Sequence, residues 1–294
     1  MQGMDRVGLV DVIRRLGWSA SWAELRSVAT ERAIRSAVAD GVIVRAARGR
    51  YVLPDGVGPG QSAALRVNGT VSHLSAALRW GMAVRSPPPL PTVTVPRGRS
   101  LGSRRRAGVQ VFWADLTADE VELGATTPVR TVLDCAARLP EPEALVVADS
   151  ALRMRLVSRG ELERRAVLVP LQVRERVVRV VDLADDRPQS AFESLVRGQA
   201  LGVPRLSLVP QVLVGSVHPD LWDERLRLAV ECDSYEWHAK RADLISDCER
   251  YNDFALEDVM LVRFAWEHSM NQPGYVATTL GRAVTVRERQ LRLC

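Results

Sequence analysis

Lysine is almost absent from this 294-residue sequence: of its 40 basic residues, all but Lys240 are arginine. A GC-rich coding composition accounts for such an excess, so the bias alone assigns no function. Cysteine is scarce too. Cys135, Cys232, Cys248 and Cys294 form no CxxC pair, which argues against a zinc site and a disulfide framework. There is no basic-then-apolar leader and no apolar run long enough to span a bilayer, so no membrane association is expected and the protein reads as cytoplasmic. What is present is core-forming. With 47% hydrophobic and 26% charged residues, the chain is not of disordered composition. Its length fits two or three domains at roughly 100–200 residues each.

The net charge is +5, and it is unevenly spread. Residues 1–60 carry +3 and residues 61–125 carry +4, whereas residues 188–294 carry −3. A basic front suits phosphates and an acidic back suits a cation.

Residues 1–55 read as three short helices followed by a β-hairpin. Val7, Leu9, Val10, Ile13 and Leu16 recur at helical spacing, and Ser21-Trp22-Ala23-Glu24 is a capping box. Thr30 is placed to cap a third helix that Gly41 ends. Val42–Arg45 and Arg50–Leu53 read as paired strands around Arg48-Gly49. A Pro/Gly linker follows. Residues 62–186 read as a mixed α/β, then helical, middle domain, with strands at Thr92–Val95 and Val109–Phe112 and a helix opened by Thr127-Pro128. Residues 188–294 read as helix (Ser190–Ala200), strands (Leu206–Val214, Val217–Trp222, Arg225–Cys232), helix (Ala239–Asp258), strand (Val259–Trp266) and helix (Tyr275–Arg289). The fold class expected is α/β multidomain.

Three helices and a two-stranded wing form a DNA-binding layout. The exposed start of the third helix offers Glu31, Arg32, Arg35 and Ser36 to a groove, and the wing offers Arg45, Arg48 and Arg50 to phosphates. Arg97, Arg99 and the run Arg104, Arg105, Arg106 are further phosphate candidates, or a solvated loop. Ala33-Ile34-Arg35, Gly41–Arg45, Arg48–Pro54, Ser72–Leu78 and Thr127–Asp134 resemble stretches of the AbiEi-family antitoxins, whose N-terminal region is a winged helix-turn-helix. The resemblance implies DNA binding and, for an antitoxin, operator binding and a cognate toxin. Arg130 and Asp134 also read simply as an i,i+4 pair on a helix.

The acidic back holds a more specific pattern. Pro219-Asp220 lies on one strand and Glu231-Cys232-Asp233 ends the next, with a turn expected at Asp223-Glu224. Glu231 and Asp233 are two apart and share a face. Leu226, Leu228 and Val230 lead into them as an apolar stripe, and carboxylates at the end of such a stripe are costly without a partner. Paired carboxylates on neighbouring strands suit Mg²⁺ or Mn²⁺, which prefer oxygen ligands and can stabilise charge on a phosphodiester and activate water.

This order resembles the PD-(D/E)xK nuclease superfamily and, within it, the very-short-patch-repair-like endonucleases, over residues 188–294. The resemblance implies a restriction-endonuclease-like α/β domain. It carries catalytic roles to Glu193 on the first helix, to Asp220 and Glu231 as metal ligands, and to His238 after the second strand. Asp247, Arg250 and Asn252 match the polar face of the next helix, and Val262-Arg263-Phe264 the last strand. Two positions depart from the pattern. Asp233, itself a catalytic candidate that would bind metal, position His238 or mark lost catalysis, stands where the superfamily has lysine, and Ser234 where glycine is common. Lys240 lies two residues past His238 and is either a substitute cation or a solvated side chain. His238 is suited to acid–base work near neutrality. Glu193 has an alternative role as the acid of the capping box Ser190–Glu193. His218 reads as a surface residue and His268 as a loop residue.

Two functions follow. One is a Mg²⁺- or Mn²⁺-dependent endonuclease cleaving double-stranded DNA, in repair, restriction or defence. The other is an antitoxin-like transcriptional repressor with a degenerate nuclease fold. A homodimer is compatible with either, and fold analogy alone does not choose between them.

Overall fold

The computed structural model describes residues 9–10, 13, 19–47, 50–53, 58–233 and 241–292; for residues 19, 21, 46–47, 50, 52 and 241–247 only the backbone is described. Arg48, His238 and Lys240 lie outside the described residues, as do the side chains of Arg50 and Asp247. The chain is mixed α/β. Its backbone contacts form two compact units: residues 1–80 with 87–131, and residues 81–86 with 132–294. Among the described residues no helix is long and apolar enough to cross a membrane.

The first unit opens with β1 (Ser19–Ser21), α1 (Trp22–Arg26), α2 (Glu31–Ala39), β2 (Val44–Ala47) and β3 (Arg50–Val52). Thr30 caps α2 as its spacing predicts, its hydroxyl accepting from the Ala33 N–H at 3.2 Å. Gly41 follows with φ +70°, a conformation that glycine adopts without the penalty other residues face. The three strands pair antiparallel in the order β1-β3-β2. Leu9, Ile13, Ala20, Leu25, Ile34, Ala37, Ile43, Tyr51 and Leu53 close one core between helices and sheet.

The same unit continues with α3 (Pro59–Val67), β4 (Thr70–Val71), α4 (His73–Arg79), β5 (Thr92–Val95), α5 (Ser103–Arg106), β6 (Gln110–Trp113) and α6 (Ala118–Leu123). Its sheet runs β4-β5-β6, antiparallel then parallel. Thr92–Val95 is a strand as expected, and the Val109–Phe112 strand is shifted by one residue. The helix α7 (Pro128–Arg138), opened by Thr127 and Pro128, contains the division between the units.

In the second unit come α8 (Glu141–Arg153), α9 (Arg159–Ala166), α10 (Leu171–Leu183), α11 (Ala191–Ala200), β7 (Val209–Pro210), β8 (Leu221–Asp223), β9 (Leu228–Asp233), α12 (Arg241–Leu256), β10 (Met260–Ala265), α13 (Trp266–Asn271) and α14 (Pro273–Gln290). The sheet order is β10-β9-β8-β7. The hairpin partners β8 and β9 are antiparallel, and β9 pairs parallel with β10 through the α12 crossover, the connection length a parallel pair requires.

Side-chain alternation divides this sheet cleanly. Leu221, Leu228, Val230 and Phe264 face α11 and α14, where Phe192, Val196, Val276 and Leu280 meet them. Trp222, Ala229 and Leu261 face the opposite way, toward Phe254 and Tyr251 of α12. Both faces are covered, which is why Leu228, Ala229 and Val230 are all fully buried. Each large aliphatic residue in such a position contributes about 1.5–3 kcal/mol relative to exposure.

Three expectations need correction. The strand expected over Leu206–Val214 is only Val209–Pro210, because Gln211 turns left-handed at φ +56° directly after it. The turn expected at Asp223-Glu224 falls later: Asp223 ends β8, and Arg227 takes φ +45°. His268 lies in α13, not in a loop, and its Nδ1 accepts from the Ala265 N–H at 3.2 Å.

The helical layer is tied to the sheet's helices by a buried ion pair. Arg197 of α11 reaches both oxygens of Asp149 on α8 at 2.9 and 2.8 Å, with side-chain exposures of 7% and 0%. The Asp185 N–H also donates to Asp149 at 2.8 Å. Beside this pair the helices approach so closely that a Cβ on Gly198 would lie 2.6 Å from Pro142 Cα. Removing one partner strands the other charge. Arg197→Met is expected to cost about 3–5 kcal/mol in denaturant unfolding, whereas pairing it with Asp149→Leu recovers most of that loss. Equal destabilisation in the single and double variants contradicts this.

Candidate functional site

The pairing of β8 with β9 brings the acids together. Leu221 lies opposite Val230 and Trp222 opposite Ala229. One further step in this register puts Asp220 opposite Glu231. Directly opposed residues of antiparallel strands share a face, and this face is the one α12 covers. The pairing is locked by a side chain: Asp220 Oδ2 accepts the Cys232 N–H at 2.8 Å. A carboxylate oxygen thus stands where a strand carbonyl would continue the ladder.

Glu231 is only 3% exposed. Its Oε2 meets Arg250 Nη1 of α12 at 2.9 Å. Its Oε1 is buried and has no hydrogen-bond partner among the described residues, a costly state for a carboxylate oxygen. Asp233, two residues on, accepts from Arg263 Nε of β10 at 2.7 Å. The Arg263 guanidinium lies over the Tyr251 ring at 4.3 Å.

Glu193 reaches the same cluster from α11. Its N–H donates to Ser190 Oγ at 3.1 Å, the first half of the expected capping box. The second half differs, because Glu193 Oε2 accepts the N–H of Gln189 at 2.8 Å, one residue before Ser190. That oxygen also accepts from Gln211 Nε2 at 2.9 Å. Glu193 therefore both caps its helix and faces the acids.

The electrostatics follow from this crowding. Burial pushes the Asp220 carboxyl up to about 6; the Cys232 N–H opposes the shift and the Glu193 charge reinforces it. Burial, followed by the charge of Asp220, pushes Glu231 up to about 7, against the pull of Arg250. The Cys232 thiol is also raised well above its ordinary range, first by burial and then by Asp220, which leaves it a poor nucleophile.

A small hard cation is the group this donor set would take, and the fit is partial. The orphaned Glu231 Oε1 and the elevated Asp220 carboxyl fit a cation that would neutralise both. Among the described residues, however, no group of three or more His, Cys, Asp or Glu side chains is arranged to hold a metal ion. Arg250 and Arg263 currently compensate two of the acids.

The basic residues of the first unit are placed more simply. Arg32, Arg35 and Ser36 lie exposed on α2, and Arg45 lies exposed on β2. Arg35 pairs with Glu31, and Ser36 Oγ donates to Asp40 at 3.1 Å. Arg104, Arg105 and Arg106 form the exposed helix α5. Arg97 pairs with Asp115 at 3.3 Å, and Arg99 donates to the Asn68 carbonyl. His218 is exposed.

Gln211 has no part in the expected constellation, yet it touches two of its acids. The signal for it was positional: the hairpin register that pairs Asp220 with Glu231 runs on to Gln211 on the other side of Asp220. Without the β7 register that step was not readable.

No family model matches the sequence. The chain is similar to the uncharacterized proteins Rv2248 and MT2308 from two strains of Mycobacterium tuberculosis, each 29% identical over 170 residues. The match spans 54% of this chain and only 60% of the length of those relatives. Among solved structures, that of the Mycobacterium tuberculosis protein RV2827C is similar over 71% of this chain and 84% of its own, at 18% identity and a TM-score of 0.37.

The raised carboxyls make stability depend on pH. A buried acid whose folded pKa exceeds its unfolded value stabilises the fold when protonated; that contribution is complete below pH 4 and is lost as pH rises through about 6 for Asp220 and about 7 for Glu231. In metal-free protein at pH 8, Glu231→Gln is therefore expected to be the more stable form, by on the order of 2 kcal/mol, with the difference vanishing near pH 4. Denaturant unfolding across that range checks it. A Glu231→Gln protein that is less stable than wild type at pH 8 contradicts the assignment.

Proposed function

We propose that residues 188–294 form a divalent-metal-dependent nuclease of the PD-(D/E)xK type, acting on double-stranded DNA held by a winged helix-turn-helix in residues 1–55. The observation that carries this reading is the opposed pair of a half-buried Asp220 and a buried Glu231, the latter with one carboxylate oxygen lacking a hydrogen-bond partner among the described residues. Buried carboxylates raised toward neutrality are a functional-site signature with a physical cause. The strand–strand–helix–strand order around them supports the same reading.

Asp220 and Glu231 would hold Mg²⁺ or Mn²⁺, which supplies charge stabilisation at the scissile phosphate and a more acidic bound water. The protein's own contributions are distinct. The Cys232 N–H orients Asp220. The layers of α11, α14 and α12 exclude bulk water from the strands beneath the acids. Arg250, at the mouth of the site and 39% exposed at its side chain, is placed to meet a phosphate oxygen once Glu231 turns to a cation. Arginine stays protonated, so it cannot substitute for a lysine acting as a base, and proton removal falls to a carboxylate or to His238.

A specific observation favours the second reading, an antitoxin-like repressor with a degenerate site. Asp233 occupies the place of the superfamily lysine and is held by Arg263, while Arg250 holds Glu231. Arginines paired to two acids are what a site without a cation needs in order to stay folded.

The two readings separate in one assay. With Mg²⁺, the purified protein is expected to nick or linearise plasmid DNA, and Asp220→Ala is expected to lose about 100-fold or more of that rate, the scale of a lost transition-state interaction. Equal behaviour of wild type and Asp220→Ala rejects the nuclease reading. DNA binding itself is expected to survive Asp220→Ala. It should weaken, with a shallower salt dependence, when Arg32 and Arg35 are changed to alanine; unchanged affinity and salt slope in that variant reject the winged-helix reading.

A further inference from the structure

The sheet carries a row of residues across three segments. Pro210 lies opposite Leu221, so Gln211 falls opposite Asp220, and the Gln211 N–H donates to the Asp220 carbonyl at 3.0 Å. Asp220 in turn falls opposite Glu231. Gln211 thus stands beside the acid pair, at the edge where β7 ends.

Its side chain is fixed at both ends. Gln211 Oε1 accepts from Gln189 Nε2 at 3.0 Å. That contact aims Nε2 at the acids, where it donates to Glu193 Oε2 at 2.9 Å and lies 3.5 Å from Asp220 Oδ1. The reverse orientation would set an amide oxygen against two carboxylates and two amide N–H groups against each other. The backbone is held in the left-handed region at φ +56°. That region is unfavourable for a non-glycine residue, and such residues cluster where surrounding contacts over-determine them.

We infer that Gln211 is the positioning residue that, anchored on Glu193, holds Asp220 toward a divalent cation. A neutral amide is suited to this task. It bridges two like charges without neutralising either, so Asp220 retains its attraction for a cation. An arginine or lysine there would compete with the metal, as Arg250 does at Glu231. The neighbouring contacts divide the work: the Cys232 N–H fixes Asp220 Oδ2, and Gln211 stands against Oδ1. The inference rests on the metal-site reading of Asp220 and Glu231.

Mn²⁺ titration of the full-length protein, with free ion followed by electron paramagnetic resonance, tests it. Two variants are compared with wild type and Asp220→Asn. Gln211→Met keeps the side-chain length and removes the donor. Gln211→Asn keeps the amide, tolerates the left-handed backbone, and draws the donor away from the acids. Thermal unfolding without metal is measured on all four proteins. Wild type is expected to bind Mn²⁺, Asp220→Asn to lose it, and both Gln211 variants to bind it 10–100-fold more weakly, the range for groups that orient metal ligands. If wild type and Asp220→Asn behave so but both Gln211 variants bind like wild type, the inference is overturned and the metal-site reading stands, whatever the unfolding temperatures do. If wild type does not bind Mn²⁺, the metal-site reading falls and the inference falls with it.

Discussion

One hydrogen bond organises the acidic end of this protein. The Asp220 carboxylate takes the Cys232 N–H at the point where the β8–β9 ladder runs out of backbone partners. A buried strand N–H must be satisfied, so this contact is obligatory for the fold as well as for the site. It holds Asp220 against β9 one residue beyond Glu231, and with Gln211 on its other side it aligns two strands and the end of a third. The carboxylates are then neighbours because the sheet is built that way, and their mutual repulsion is carried by the fold's apolar layers.

Much of this was legible from residue order. Leu226, Leu228 and Val230 alternate into Glu231, so the neighbourhood of the two acids follows from residue order, whereas their direct opposition needs the turn at residues 224–227 and not at Asp223-Glu224. The capping residues Thr30, Thr127 and Ser190 were readable for the same reason: local chemistry decides them. What was not legible depends on tertiary register. The short β7 follows from the left-handed turn at Gln211, and that turn does not announce a functional residue. The shift of the Glu193 contact from Ser190 to Gln189 depends on how α11 meets β7. The pairing of Arg250 with Glu231 and of Arg263 with Asp233 needs α12 and β10 in place on the same face.

The arginines give the site its tension. A cluster of Glu193, Asp220, Glu231 and Asp233 needs positive charge. Two arginines supply it in the form described, and a divalent cation would supply it in a nuclease. Arg250 would compete with a cation for Glu231, whereas Asp233 is paired to an arginine that lies over Tyr251. The account therefore centres on Asp220 and Glu231, with Gln211 and Glu193 beside them, and gives Asp233 the task of anchoring β10.

The most direct test is a crystal of the full-length protein soaked in Mn²⁺ and examined by anomalous scattering. The account predicts one strong peak between the Asp220 and Glu231 carboxylates, with Glu231 Oε1 turned to the ion. A structure with no peak there, and with the Arg250–Glu231 pair intact, would contradict it.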